Sequence, residues 1–442
     1  MRPHSFVSSL LRLAWPVALA RLGIMGMGVV DVIVVGQFAP AELPHQALGW
    51  APIGVLLVSG IGLLTGVQVL AARAVGTGDL NDAGGAWRRG LVVSLIAGAV
   101  AAGSIWSLGA RTYTIFGISS ELALPSVAVA RILALSVPLH FCYVASAFFL
   151  ESIQRPMAST IVMWSANAVN LALNLALVPK FGAEGSAWAT FGARSCLAVV
   201  LAIWILCLKD GQRYGVRKRA AGPSYKALLG IGVAAAVSQA AEAGAFSGMT
   251  IIAGRIGAHA VATYQILLNL LAVVFMVALG LSSATAVLTS EAIGRGAPAE
   301  ATRASFTGLV LNTGFMLIAA LIVFGFAPSI GRAYTADLSL AALVASLSWI
   351  AAAVMLPDGG QVVAAAALRA RGDNWFPTLS HLLSYALVMP VLAFWLAETQ
   401  RRGVAGLMLA ILIASVLSFS VLCARLWMLR NSPGAAVEHA AT

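Results

Sequence analysis

Charged residues are scarce in this chain of 442 residues. They make up 10% of it, whereas 60% of the residues are apolar; soluble domains carry about a quarter charged and about half apolar. No long stretch is polar enough to form a separate water-facing domain. The composition therefore excludes an ordinary soluble enzyme and also a soluble domain held by one membrane anchor.

Cysteine and lysine are scarce as well, with four residues of each type. The cysteines, Cys142, Cys196, Cys207 and Cys423, lie within apolar runs and lack metal-ligand spacing, so no disulfide framework or cysteine metal site is expected. None of the lysines follows a glycine, so the Gly-Lys-Ser/Thr loop that cradles nucleotide phosphates is missing. An ATP-driven pump is excluded, and no cofactor is expected.

Long apolar runs dominate what is present. A membrane-spanning helix needs about 20 residues to cross roughly 30 Å, so the chain has room for about twelve. The runs are continuous and not alternating, which excludes a β-barrel. The sequence predicts an all-α integral membrane protein with helices near residues 13–37, 47–72, 91–110, 122–148, 158–180, 185–208, 227–254, 259–292, 305–328, 338–369, 375–397 and 403–428.

An internal repeat divides the chain. The pentapeptide AVGTG at 74–78 recurs as AIGRG at 292–296, and GLVVS at 90–94 recurs as GLVLN at 308–312, both at an offset of 218. Six helices return the chain to its starting side, so two copies of such a unit run in the same direction. This arrangement is typical of transporters with a central cavity between two lobes.

The predicted domains follow from this repeat. Residues 1–208 form an N-terminal six-helix lobe and residues 227–430 a C-terminal one. The basic, turn-rich stretch 209–226 links them, and residues 431–442 form a disordered tail.

The distribution of basic residues predicts the orientation. The net charge is +11, and 18 of the 27 Lys and Arg residues fall on the side of the termini and the linker, against six on the other. The positive-inside rule then predicts that both termini and the linker lie in the cytoplasm. Nucleic acid is not an expected partner. The remaining three, Arg21, Arg131 and Arg194, lie within predicted helices and are interpreted as snorkelling, with a counter-charge role as the alternative.

Three acidic residues lie well inside predicted helices: Asp31, Glu242 and Asp358. Each costs about 2.5–3.5 kcal/mol at mid-membrane unless it is neutralised or faces a wet cavity. A carboxyl group that alternates between empty, proton-bound and cation-bound states can couple an ion gradient to a conformational change. The alternative is a hydrogen-bonded carboxyl that only holds helices together.

Polar side chains accompany these acids. Asn170 and Asn174 lie four residues apart on one helix face, as do Gln265 and Asn269, and Gln239 lies one turn before Glu242. These amides are candidate partners of the acids or, alternatively, contacts between helices. His140, beside Pro138, can change charge near neutral pH, and a packing role is the alternative.

Four stretches resemble one family, multidrug and toxic compound extrusion (MATE), in its NorM-like branch. They are Pro16 with MGVVDVIVVG at 27–36, NLALN at 170–174 with FGAEGSAWAT at 181–190, SQAAEAGAF at 238–246 with AHAVATYQILLN at 258–269, and LPDGGQVVAAAALRARGDNWFP at 356–377. The chain departs from the family pattern at 369–373, where Arg-Ala-Arg-Gly-Asp replaces a Leu-Arg-Gly run.

The resemblance implies roles for individual residues. Asp31 would be the protonation site of the N-terminal lobe, with Asn170 and Asn174 as its partners. Glu242 and Asp358 would form an acidic pair that binds a proton or a monovalent metal cation, sodium. The implied function is antiport: a cationic or amphipathic compound leaves by alternating access while protons or sodium ions enter, and the protein is a monomer in the bilayer.

Two other functions are weighed against this one. A flippase or exporter of lipid-linked saccharides or metabolites would share the fold of the superfamily, but the membrane-centred acids favour drug export. An intramembrane enzyme is disfavoured, because the sequence has no Asp-rich pair motif and no His-Glu-x-x-His motif.

Overall fold

The computed structural model describes residues 3–115, 120–217 and 222–431. Within these ranges the regular secondary structure is helical, and no strand occurs. Two short 3₁₀ segments, Pro40–Glu42 and Leu429–Asn431, and two π-helical segments, Leu382–Val388 and Trp395–Thr399, complete the helical set. The α-helices are α1 (Pro3–Phe38), α2 (Leu43–Thr77), α3 (Leu80–Ile115), α4 (Ser120–Leu135), α5 (Val137–Ser152), α6 (Met157–Leu206), α7 (Tyr225–Ile256), α8 (Ala258–Gly294), α9 (Pro298–Gly325), α10 (Ala327–Tyr334), α11 (Leu338–Ala370), α12 (Trp375–His381), α13 (Met389–Phe394) and α14 (Gly403–Met428).

Eleven helical stretches in the described part of the chain are long and apolar enough to cross a membrane. One of them, α6, has 50 residues and is interrupted at Gly182, whose backbone adopts φ 53° and ψ −132°. Counting the two parts of α6 separately adds one span to the eleven and gives twelve. The predicted all-α membrane fold is confirmed.

The interruption in α6 is a hairpin turn made by one glycine. The Glu42 carboxylate accepts a hydrogen bond from the Ala183 backbone N–H at 2.6 Å and so caps the second part of the helix, where partial positive charge accumulates. Beyond the turn, Gly185 lies so close to the Leu177 carbonyl that an added Cβ would come within 2.6 Å of it. The two parts of α6 therefore run antiparallel and in contact.

The repeat is visible in the helix boundaries. Helices α2 and α8 are followed by Gly78 and Gly296, with φ of 84° and 68°, and these glycines are related by the offset of 218. The same offset relates the start of α3 to that of α9, and the start of α4 to that of α11. The copies differ at the fourth span, which is interrupted at Ser136 in the first copy but continues through Pro357 in the second.

The described residues divide into two compact units. The first is Leu19–Ala236, and the second consists of the described residues up to Ala18 and from Val237 onward. The linker belongs to the first unit, where Tyr214 packs edge-on against Phe149 of α5. Residues 218–221 of the linker and the predicted tail from 432 lie outside the described residues, and the predicted lobe boundaries stay a prediction.

Close helix packing in the first unit depends on glycine. A Cβ added to Gly62 would lie 2.8 Å from the Ala235 backbone of α7, so α2 and α7 approach closely at this glycine. In the second unit, a Cβ added to Gly244 or Gly248 would meet nothing within 4 Å.

Candidate functional sites

Asp31 lies on α1 with no exposed surface and is surrounded by hydrogen-bond donors from α6. The amide nitrogens of Asn170 and Asn174 donate to its Oδ1 at 3.0 and 2.7 Å, and the Thr190 hydroxyl donates to its Oδ2 at 2.6 Å. The hairpin at Gly182 makes this possible, because it brings both parts of α6 against the same carboxylate. The arrangement suits an ionised carboxylate, since all three partners donate.

Arg194 supplies a positive charge near this carboxylate. It follows Thr190 by one helical turn, is 3% exposed, and interacts electrostatically with Asp31. Its Nη1 donates to the Ser136 hydroxyl at 2.8 Å, and its guanidinium lies 5.1 Å from the centroid of the Trp50 ring. The interpretation of Arg194 as a snorkelling side chain is wrong, because the guanidinium stays buried.

A cavity of about 390 Å³ lies beside this site in the first unit. Its lining is mostly apolar, with three methionines and Trp50, and its polar members are Gln46, His140 and Arg194. Both ring nitrogens of His140 and Oε1 of Gln46 are buried without a hydrogen-bond partner among the described residues. A mostly apolar cavity with a few polar groups is the usual form of a small-molecule site.

The second unit brings Glu242 of α7 and Asp358 of α11 together. The two carboxylates interact electrostatically. Gln361, one turn after Asp358, donates to Glu242 Oε1 at 3.4 Å, while the Tyr385 and Ser415 hydroxyls lie 3.2 and 3.4 Å from Asp358 Oδ1. This cluster is rich in oxygen atoms, and Oε1 of Gln361 has no partner among the described residues.

Two basic side chains flank the Glu242–Asp358 pair. His381 shares a 2.6 Å hydrogen bond with the Ser238 hydroxyl through Nδ1, which lies 4.0 Å from Glu242 Oε2. Arg369 is 8% exposed and interacts electrostatically with Glu242. Its Nε and one Nη have no partner in the described part of the chain. Arg369 lies in the last turn of α11.

Comparison with known proteins places this arrangement in a family. The family model described as MatE matches residues 16–176 and 234–395, most of the chain and most of each repeat. The chain belongs to the MatE family.

Named relatives of this MatE chain are transporters. It is 40% identical to a probable multidrug resistance protein NorM of Caulobacter vibrioides over 98% of this chain and 93% of that protein. It is 27% identical to the multidrug resistance protein PmpM of Pseudomonas aeruginosa, covering 96% of this chain and 92% of that protein. The crystal structure of the eukaryotic MATE transporter AtDTX14 has the same fold, with a TM-score of 0.88 at 16% identity over 96% of both chains. The predicted family is confirmed: this is a multi-pass membrane protein of a multidrug efflux transporter family and not an enzyme.

The predicted amides of this MatE chain fall into two groups. Asn170 and Asn174 contact Asp31 as described above. Gln265 instead donates to the Thr250 hydroxyl at 3.3 Å, and Asn269 accepts a hydrogen bond from the Tyr334 hydroxyl at 2.9 Å. Gln239 is half-buried on α7. His140 lies in the first unit, where it lines the cavity together with Arg194.

Several residues of the two sites did not enter the sequence prediction. Helical spacing from a predicted residue could have found Gln361, which follows Asp358 by three residues. Glu151 was missed because the fourth predicted helix ended at 148, whereas α5 continues to Ser152. It is buried, accepts a hydrogen bond from Gln68 Nε2 at 2.6 Å and lies 3.9 Å from an Nη of Arg21.

Proposed function

We propose that this MatE-family protein is a secondary antiporter that exports cationic or amphipathic compounds and takes up protons or sodium ions in exchange. The observation that carries the proposal is the placement of buried or partly buried carboxylates on membrane-spanning helices in both repeats. Asp31 serves the first repeat, and Glu242 with Asp358 serves the second. The names of the relatives, multidrug resistance proteins, support the substrate class.

The environment of Asp31 supports a role in proton exchange. Its ionised form is stabilised by three donated hydrogen bonds, and hydrogen bonds to charged groups contribute about 1.5–3 kcal/mol each. Its protonated form needs no counter-charge in a low-dielectric environment. A carboxyl that is stable in both the ionised and the protonated form can take up or release a proton when its surroundings change.

The Glu242–Asp358 pair supports binding of a cation. Its donors are carboxylate, amide and hydroxyl oxygens, which hard cations prefer. With both acids ionised and Arg369 charged, the cluster carries one net negative charge. One proton or one sodium ion neutralises that charge, so these residues would hold the ion and Arg369 would limit the site to a single cation.

Transport by the purified protein in proteoliposomes tests the proposal. The probe is a fluorescent organic cation, and pH and sodium gradients are imposed separately. We expect Asp31→Asn and the double substitution Glu242→Gln/Asp358→Asn to lose most gradient-driven transport, because neither can exchange an ion. Glu184→Gln is the matched control, since Glu184 is an exposed acid on the same helix as the partners of Asp31.

The outcomes separate the alternatives. Wild-type rates in both sets of variants at every gradient would contradict the proposed coupling. Failure of the wild type to move any cation, with movement of a lipid-linked saccharide instead, would favour a flippase. Transport measured at a clamped membrane voltage reports the stoichiometry. Exchange of one monovalent cation for one proton is electroneutral, so its rate does not depend on voltage. Each additional charge that crosses 100 mV changes the driving force by about 2.3 kcal/mol.

The proposal includes the membrane, the orientation and the oligomeric state of the protein. The bacterial relatives and the basic residues support an inner-membrane protein whose termini and linker face the cytoplasm. Each of the two candidate sites is formed within one chain, which supports a monomer as the working unit.

A further inference from the structure

The cavity of the first unit has a positive charge at one wall, Arg194, which interacts electrostatically with the Asp31 carboxylate. Arg194 lines the cavity, whereas Asp31 has no exposed surface. Gly28 also lines it and lies one turn before Asp31 on α1, with nothing within 4 Å of the position of a Cβ. The cavity wall is therefore thin at the turn of α1 that carries the carboxylate.

Arg194 is held in place and does not leave the site. Its hydrogen bond to Ser136 and its position over the Trp50 ring fix the guanidinium. An arginine keeps its charge under all ordinary conditions. The net charge at the cavity is thus zero when Asp31 is ionised and +1 when Asp31 is protonated.

We propose that Arg194 is a specificity-determining residue that links the protonation of Asp31 to the release of a cationic compound from this cavity. When Asp31 is ionised, its charge cancels that of Arg194, and the apolar walls and Trp50 can hold an organic cation. When Asp31 takes up a proton, the guanidinium is left uncompensated and repels the same cation. Proton and cation become mutually exclusive without touching the same atom, which antiport requires.

Other charged groups near Arg194 are few. On α5, His140 faces both Arg194 and Arg21, and on α1, Arg21 lies beside the Glu151 carboxylate and the Phe148 ring. Protonation of His140 or of Glu151 would also add positive charge here at low pH. The substitutions His140→Gln and Glu151→Gln each remove one of these possibilities and leave the Asp31–Arg194 pair unchanged.

The inference rests on the proposed function and predicts that the affinity for an organic cation decreases stepwise as the charge at the cavity becomes more positive. The probe is tetraphenylphosphonium, whose charge does not change with pH, and the protein is held in nanodiscs, with empty nanodiscs subtracted. With Asp31 ionised, the charge at the cavity is −1 in Arg194→Gln and zero in the wild type. The charge is also zero in the double variant Asp31→Asn/Arg194→Gln, and it is +1 in Asp31→Asn. We expect affinity to fall by about tenfold, or 1.4 kcal/mol, per step.

Two comparisons decide the role of Arg194. The double variant Asp31→Asn/Arg194→Gln is expected to recover the binding that Asp31→Asn loses and to bind equally from pH 5.5 to 8.5. Arg194→Lys keeps the charge and is expected to keep the wild-type pH dependence. If Arg194→Lys and Arg194→Gln both bind the cation more weakly than the wild type and the double variant recovers nothing, Arg194 is a packing residue and the inference is wrong.

The remaining controls separate this inference from the proposed function. The isosteric anion tetraphenylborate should show the reverse order of affinities. His140→Gln should keep the pH dependence; loss of that dependence would assign it to His140 and overturn the role of Arg194. A wild type that binds the cation with a normal pH response, together with an Arg194→Gln variant whose affinity equals that of the wild type at every pH, would refute the inference and leave the antiporter proposal standing.

Discussion

At the scale of single residues, the first repeat shows how a charge is kept inside a membrane protein. Water around the Asp31 carboxylate is replaced by Asn170, Asn174 and Thr190, each donating a hydrogen bond of 3.0 Å or less. Arg194 balances the charge. The donors fix the position of the carboxylate, and the balance of charge makes its occupancy sensitive to whatever enters the neighbouring cavity.

Thr190 provides a test of this environment. We expect Thr190→Val to retain the fold, because the side chains have similar shape, and to slow proton-driven transport by about tenfold or more, since a hydrogen bond to a charged group contributes about 1.5–3 kcal/mol. Thr190→Ser keeps the hydroxyl and should transport like the wild type. Equal rates for the valine and serine variants, measured in proteoliposomes, would show that the hydroxyl plays no part.

Outside the membrane, Asp210 and Arg155 form a pair that responds to pH. Both guanidinium Nη atoms donate to the Asp210 carboxylate, at 2.9 and 2.7 Å, and these bonds from Arg155 lower the pKa of Asp210. A carboxyl whose pKa is lower in the folded protein stabilises it above the unfolded pKa of about 3.9 and loses that contribution as the pH falls through the folded value.

The pair therefore predicts a pH-dependent difference in stability. Asp210→Asn should lower the free energy of unfolding at pH 7 by about 0.5–1 kcal/mol, a small value because exposed pairs are screened by water, and these side chains are 44% and 33% exposed. The difference in thermal unfolding between variant and wild type should shrink as the pH is lowered below about 4. A difference that grows toward acid would contradict the assignment, and Glu184→Gln controls for loss of an exposed acid.

The residues predicted from sequence were those whose chemistry is costly in lipid. Asp31, Glu242 and Asp358 stand out in any apolar run, and Asn170 and Asn174 share a helix face with the right spacing. Arg369 and Glu151 did not stand out, because they lie within one turn of helix ends where a charge is ordinary. Thr190 and Ser415 carry no charge, so only the fold could bring them to the carboxylates.

At the scale of secondary-structure elements, helix identity followed from composition, and turns followed less well. Every predicted span is present, but α6 turns within a single residue, where ordinary connections take several. The π-helical segments Leu382–Val388 and Trp395–Thr399 flank Met389-Pro390. The proline, without an N–H, accounts for disturbed helical bonding there, but a sequence does not specify whether the result is a kink or a wider turn.

Substitution of Gly182 tests whether the turn within α6 requires glycine. Its combination of positive φ with ψ of −132° is open to glycine but not to other residues, and a Cβ there would collide with the Glu42 carboxylate. We expect Gly182→Ala to cost about 1–3 kcal/mol and to lower both expression and melting temperature. Gly103→Ala is the matched control, since Gly103 lies in α3 with nothing within 4 Å of a Cβ. A Gly182 variant as stable as this control would contradict the strained turn.

At the scale of the whole molecule, duplication explains why so much of the architecture was predictable. Matching motifs at one offset correspond to matching helix boundaries, and six spans per copy fix the relation between the directions of the copies. The compact units were less predictable. The residues of α1 up to Ala18 group with the second unit, and the residues of α7 up to Ala236 group with the first. This grouping depends on contacts in the folded chain, which a repeat in the sequence does not specify.

Orientation is tested by labelling. In a background with the four cysteines replaced by serine, Lys209→Cys should react with a membrane-impermeant maleimide only after cells are permeabilised, because the proposed orientation places the basic linker in the cytoplasm. Lys180→Cys, at the opposite end of the first part of α6, should react in intact cells. Both residues are exposed, so burial does not confound the comparison. Labelling in the reverse order would invert the topology.

The one-residue turn in α6 also bears on biosynthesis. The segment that joins the two spans is short, and Lys180 and Glu184 are its charged residues. Asp31 is synthesised well before its partners, and it meets all three donors only after both halves of residues 157–206 have been inserted. Before that step, the Asp31 carboxyl lacks the hydrogen bonds from Asn170, Asn174 and Thr190.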